Sequence, residues 1–198
     1  MSVLVACDRG AVIDSDPNVL ARIWESEVHL SLWQRPMPDD LVALPSLEWG
    51  AIDDIDEVVA ADGLADALPV LIEDAGYGRL NQALSQEISM LAARFAAIMD
   101  CARMRLRLEV IETDACRRFH ADNVAARLLM PLVGPGTQWI HAGTEGPIAQ
   151  LCPGEVGLFK GRLWAEEPRI LHRSPPVAAS GETRLLFALN PALESAPA

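Results

Sequence analysis

The residues best placed for chemistry are His120-Ala121-Asp122, then His172, then Arg184. Two imidazoles and one carboxylate can occupy one face of a six-coordinate metal and leave the opposite face open. Open positions suit Fe(II) and oxygen chemistry better than a closed structural zinc site. An arginine downstream of the last histidine offers a fixed, bidentate partner for a carboxylate-bearing cosubstrate. These residue types point to an oxygenase. Residues two apart in an extended segment face the same way, so His120 and Asp122 at the end of a strand would present both side chains together. Each piece alone has an ordinary explanation. A His-x-Asp pair is common in surface turns and helix caps, and a lone histidine in an apolar strand is usually a core or edge residue. The set draws its weight from the order of all four within one strand-rich half, with turns able to bring them together.

The elements that must position these groups lie mostly after residue 101. Before it the pattern is mostly helical. Ser15-Asp16-Pro17 offers a cap and a first-turn proline, and Val28–Trp33 reads as a short strand. The clearest helix runs from about Gly78 to Asp100, where Leu80, Leu84, Ile88, Leu91, Phe95 and Ile98 form one stripe at helical period. The period then shifts towards two. Met104, Leu106, Leu108 and Val110 alternate with Arg103, Arg105, Arg107 and Glu109. Further strands are expected at Val124–Val133, Gln138–His141, Val156–Phe159, Arg169–His172 and Arg184–Leu189, separated by Gly- and Pro-rich turns. Short strands with regular turns imply a sandwich or barrel. The expected architecture is α+β in one domain, 1–198, without internal repeats: a mostly helical N-terminal region (1–101) over a jelly-roll core (102–191), with a loose tail (192–198).

Composition narrows the function classes. With 51% hydrophobic and 22% charged residues over 198 positions, the chain can bury a real core and is not disordered. A net charge of −12 is ill suited to nucleic acid or an anionic membrane surface, since phosphate binding is dominated by Lys and Arg. Six arginines (Arg103, Arg105, Arg107, Arg117, Arg118, Arg127) crowd the centre, whereas 37–76 carries no Lys or Arg. Internal ion pairing is the plain explanation, and a positive pocket for an anionic cosubstrate is the other. No apolar run reaches the ~18 residues of a membrane helix, and the N-terminus lacks the basic start and apolar core of a secretory signal. Cys7, Cys101, Cys116 and Cys152 have no paired spacing, which points to a reducing cytoplasm. There is no phosphate-binding loop with a following Lys and no Gly-x-Ser-x-Gly elbow.

The order His-x-Asp, His, Arg resembles the Fe(II)/2-oxoglutarate-dependent dioxygenases. The similarity extends through Pro153-Gly154-Glu155-Val156-Gly157-Leu158-Phe159, Leu171-His172-Arg173-Ser174-Pro175-Pro176-Val177 and Gly181-Glu182-Thr183-Arg184. In the prolyl-hydroxylase-like branch a Pro-Gly turn leads a strand ending in Phe, and a His, a Pro-Val bend and a glycine precede the basic residue. The resemblance implies a double-stranded β-helix over 103–190. It implies Fe(II) on His120, Asp122 and His172, the distal carboxylate of 2-oxoglutarate on Arg184, and hydroxylation of a small molecule or a protein side chain with release of succinate. The whole chain also resembles a bacterial family of unknown function whose members tend to be encoded near zinc-homeostasis genes.

The chain departs from the dioxygenase pattern in two places. Leu186 stands where Arg-x-Ser or Arg-x-Thr is common, leaving Thr183 or another residue to supply a hydroxyl. The only tyrosine, Tyr77, lies outside the expected barrel, so Arg107, Arg127 or Trp139 would have to substitute. Two other functions remain: a zinc protein, hydrolytic or concerned with metal supply, using the same His/Asp/His set, and a silent barrel with helix 78–100 as an interface. Cys116 near His120 raises a Cys/His zinc variant, although a buried packing role is expected of it, as of Cys152. His141 reads as a loop residue or a support for the metal ligands, His29 as structural, and Trp139 and Trp164 as core or substrate wall. The sequence sets no oligomeric state.

Overall fold

The computed structural model describes residues 10–192. Cys7 and all but the first residue of the expected tail lie outside this range. The described residues form ten strands, two α-helices and several 3-10 segments. A seven-stranded mixed sheet has the order β1 (Ala11–Asp14), β2 (Leu30–Trp33), β8 (Val156–Lys160), β5 (Ala126–Val133), β10 (Arg184–Pro191), β4 (Arg103–Ile111), β3 (Ile55–Ala60). β1 and β2 run parallel, and every other pair is antiparallel. A second sheet has β6 (Gln138–His141) between β7 (Ala149–Gln150) and β9 (Ile170–Arg173).

The period-two pattern of β10 sorts its side chains into two cores. Leu185, Phe187 and Leu189 face the helical side, where they join Met104, Leu106 and Leu108 of β4 and the buried stripe Leu84, Ile88, Leu91 and Phe95. That stripe belongs to α2 (Asn81–Met99), which a 3-10 turn at Gly78–Leu80 precedes and Asp100, at φ 47, ends. Leu186 and Ala188 face the other way, into a smaller core with Leu30 and Leu32 of β2, Phe159 of β8, Trp139 of β6 and Ile170 of β9. The smaller core therefore joins the two sheets. Each fully buried Leu or Phe in either core contributes on the order of 2 kcal/mol.

The first hundred residues are more than a helical cover. They supply α1 (Leu64–Asp74) and α2, but also β1 and β2 at one edge of the large sheet and β3 at the other. β3 escapes a local reading because its partner is remote. Asp56 lies opposite Arg107 in the register, and its carboxylate takes a two-pronged contact from Arg105 at 2.6 Å. The acidic stretch 37–76 thus meets part of the central arginine cluster directly. Among the described residues, no helix is long and apolar enough to cross a membrane.

Candidate functional site

Neither His120 nor Asp122 lies on a named strand, contrary to the expectation of a strand end. Both sit in the β4–β5 connection, and backbone contacts hold them instead. His120 and His172 form an isolated antiparallel bridge with reciprocal bonds, N–H of His120 to the carbonyl of His172 at 3.0 Å and the reverse at 2.9 Å. Directly opposed residues in such a pair point to one face, and the two rings stand 4.9 Å apart. The carbonyl of Asp122 accepts the N–H of Arg162 at 2.8 Å. Gly161 permits this approach, since a Cβ there would collide with the backbone carbonyls of Val124 and Asp122.

The side chains converge. His172 Nε2 lies 3.1 Å from Asp122 Oδ2, and His120 Nε2 lies 3.7 Å from Asp122 Oδ1. One donor atom from each of the three falls within 4.8 Å of the others. For ligand bonds of about 2.1 Å, adjacent donors around a cation stand about 3.0–3.4 Å apart, so this set can close on one metal ion with small adjustment. The His120 tautomer also suits a ligand role. His120 Nδ1 is 2.9 Å from the carbonyl of Arg118, which accepts a proton there and leaves Nε2 with its lone pair. His172 is 6% exposed and packs against Phe159 at 4.8 Å between ring centroids.

Electrostatics favour the metal-binding forms of Asp122 and His172. Burial alone would raise the Asp122 carboxyl, but the two imidazoles and the Arg127 cation hold it well below the usual range. Arg127 Nε approaches its Oδ2 at 2.8 Å. Burial keeps His172 neutral, lowering its pKa against the pull of Asp122. The Asp122 carboxylate acts in the opposite direction on His120, raising it.

These three side chains line a cavity of about 410 Å³, together with Arg107, Thr137 and Leu186 among others. Its size falls within the range of small-molecule sites. Arg184 does not form the wall, but it stands two residues before Leu186 on the same face of β10, 1% exposed. Its Nε donates to the carbonyl of Pro135 at 2.6 Å, while Nη1 and Nη2 are buried without any partner. Burial lowers its pKa to about 10. Gly134, at φ 74, lets the chain turn there: a Cβ would strike the carbonyl of Thr183 and come within 3.2 Å of Arg184 Cγ.

Other sequence candidates fall elsewhere. Cys116 lines the cavity and is exposed rather than buried, but it is not part of the His/Asp/His donor group. Cys152 is likewise exposed, contrary to a packing role. His141 packs edge-on against Trp139 at 5.5 Å and is not on the cavity wall. His29 is 6% exposed and accepts the backbone N–H of Arg169 at 3.1 Å, a structural role. Trp164 packs on Trp24, 4.6 Å between centroids, away from the cavity. Tyr77 is buried in the helical core. Thr137 was not singled out by the sequence, although it directly follows the Gly134-Pro135-Gly136 turn and shares a strand parity with Trp139.

Comparison with solved structures finds the same fold in oxygenases of low sequence identity. A dioxygenase for auxin oxidation from rice aligns with a TM-score of 0.54 at 14% identity, over 92% of this chain and 82% of that one. A prolyl-4-hydroxylase from Pseudomonas putida aligns with a TM-score of 0.51 at 15% identity, over 89% of this chain and 90% of that one. At such identity the likeness establishes the fold. No curated protein sequence matches the chain. The profile of a family described as "Protein of unknown function (DUF1826)" matches residues 14–190.

Proposed function

The chain belongs to the DUF1826 family, and we propose that it is an Fe(II)/2-oxoglutarate-dependent oxygenase that hydroxylates a small molecule or a protein side chain. The observation that carries this reading is the convergence of His120, Asp122 and His172 on one wall of a cavity large enough for a cosubstrate and part of a substrate. In this reading the two sheets from β4 to β10 act as one double-stranded β-helix, with the N-terminal helices as its cover.

The donor set fits the metal. Two imidazole nitrogens and one carboxylate oxygen are a common ligand set for Fe(II) with open positions, and Asp122 stays ionised in its surroundings. The cosubstrate fits as well. A buried guanidinium with two unpartnered nitrogens calls for an acceptor-rich anion, and a carboxylate takes both prongs. Bound iron would supply the redox chemistry, in which O₂ and 2-oxoglutarate are consumed, succinate and CO₂ are released, and a substrate C–H becomes C–OH.

The protein's own residues bind, orient and exclude water. His120 and His172 present Nε2 from a rigid backbone bridge, and Asp122 presents its carboxylate between them. Arg127 orients that carboxylate through its Oδ2 contact. Arg184 sets the far end of the cosubstrate, anchored through Nε to the 134–137 turn. Phe159, Leu129 and Leu186 supply apolar surface beside the metal ligands, which limits water there.

The test is oxygen-dependent conversion of 2-oxoglutarate to succinate by Fe(II)-loaded protein. The expected result is turnover in the intact protein and none in His172→Ala or Arg184→Met. Succinate formation at equal rates in all three proteins would overturn the assignment.

A further inference from the structure

Among the described residues, buried donors on the 134–139 segment and on Arg184, which is bonded to that segment's turn, meet no protein acceptor. They are Thr137 Oγ1, Trp139 Nε1 and the two terminal nitrogens of Arg184. Their residues are 2%, 7% and 1% exposed. Buried polar groups are nearly always satisfied, so such a concentration of donors calls for an acceptor from outside the protein. Of the three residues only Thr137 is on the cavity wall, beside the apolar Leu129 and Leu186.

Thr137 and Arg184 are mechanically linked. Pro135 takes the Nε of Arg184 at 2.6 Å, and two residues later the carbonyl of Thr137 takes the N–H of Leu151 at 2.9 Å. The turn that fixes the arginine therefore also fixes the threonine backbone, leaving the hydroxyl free to rotate towards a ligand. The strand that carries Arg184 cannot itself supply a hydroxyl to the cavity. Leu186 occupies the next position on that face and lines the wall, and the Thr183 hydroxyl is exposed and bound to Glu112 at 3.1 Å.

We propose that Thr137 is a cosubstrate-binding residue of this chain, its Oγ1–H donating to the carboxylate that the Arg184 guanidinium holds. This assignment rests on the oxygenase reading above. It gives the hydroxyl contact to β6's leading turn, on the sheet opposite the arginine, so that the cosubstrate bridges the two sheets.

The experiment is calorimetric titration of 2-oxoglutarate into anaerobic, Fe(II)-loaded protein, with Thr137→Val, Thr137→Ser and Arg184→Met in parallel. A hydrogen bond from a hydroxyl to a carboxylate is worth about a tenfold change in affinity or more. Thr137→Val is therefore expected to weaken binding about tenfold, and Thr137→Ser to restore it, with Fe(II) affinity equal in all. Because the hydroxyl has no partner in the protein, Thr137→Val is also expected to melt at or above the wild-type temperature without ligand. Equal 2-oxoglutarate affinity of Thr137→Val and wild type, while Arg184→Met loses binding, would overturn the role of Thr137 alone. No binding by the wild type would overturn the oxygenase reading and this inference with it.

Discussion

Replacing Arg184 with methionine separates what the residue does for ligand binding from what it does for folding. In most proteins, truncating one partner of a buried charge pair costs 3–5 kcal/mol, because the other charge is stranded. Arg184 has no such partner. Its guanidinium is 1% exposed, two of its nitrogens meet nothing, and burial lowers its pKa to about 10. A displacement of that size corresponds to about 3 kcal/mol against the charged form in the folded state. At neutral pH the group is charged in both the folded and the unfolded chain, so this penalty is present in full. Against it stands one hydrogen bond, from Nε to the carbonyl of Pro135, worth about 1.5–3 kcal/mol because its donor is charged. The two effects nearly cancel, and methionine fills a comparable volume. Arg184→Met is therefore expected to change the stability of the metal-free protein by less than about 2 kcal/mol.

The assay is urea unfolding at pH 7, first without ligands and then with Fe(II) and 2-oxoglutarate under anaerobic conditions. Ligand at a hundred times its dissociation constant adds about 2.7 kcal/mol to the wild type. The variant should gain nothing from 2-oxoglutarate while keeping the gain from Fe(II). A loss of more than about 3 kcal/mol in the metal-free variant would refute the reasoning, because it would make the guanidinium a satisfied structural group.

Three further outcomes follow from the packing and the turns. Phe187, fully buried between β4 and β5 on the helical side, should cost about 3–5 kcal/mol on truncation to Ala, read as a lower urea midpoint with an unchanged slope. Gly134→Ala imposes a side chain at φ 74 against the Thr183 carbonyl, so it should lose more than about 1 kcal/mol and weaken 2-oxoglutarate binding by displacing Arg184, both measured on one purified variant. His29 has its pKa lowered chiefly by burial, and by Lys160 and Arg169, so the folded chain holds fewer protons there than the unfolded chain. Its contribution is intact above the ordinary pKa near 6.5 and is lost as pH falls below it, which His29→Asn should reduce in unfolding curves compared at about pH 7.5 and 5.5.

Much of the site was legible because its signals are short-range in chemistry even where they are long-range in sequence. Four residue types in a fixed order single out His120, Asp122, His172 and Arg184; the structure brings donor atoms of the first three within 4.8 Å and sets Arg184 two residues from Leu186 of the cavity wall. Most strands after residue 101 were legible for a similar reason: β4 and β10 alternate cleanly because one sheet face meets the helices and the other the second sheet. β3 was not legible, since Asp56 and Glu57 look like solvated loop until Arg105 is seen across the ladder. α1 was hidden by Pro69 in its interior and by an acidic context. The placement of His120 and Asp122 off any strand depends on the bridge to His172 and the close approach at Gly161, neither of which leaves a mark in local sequence. Thr137 is a similar case, a hydroxyl made conspicuous only by its burial without a partner.

The most direct measurement is the visible spectrum of the anaerobic protein as Fe(II) and 2-oxoglutarate are added in either order. A weak metal-to-ligand band should appear only when both are present, and should be absent from His120→Ala. A protein that binds Fe(II) through these residues yet shows no such band at saturating 2-oxoglutarate would contradict the assignment.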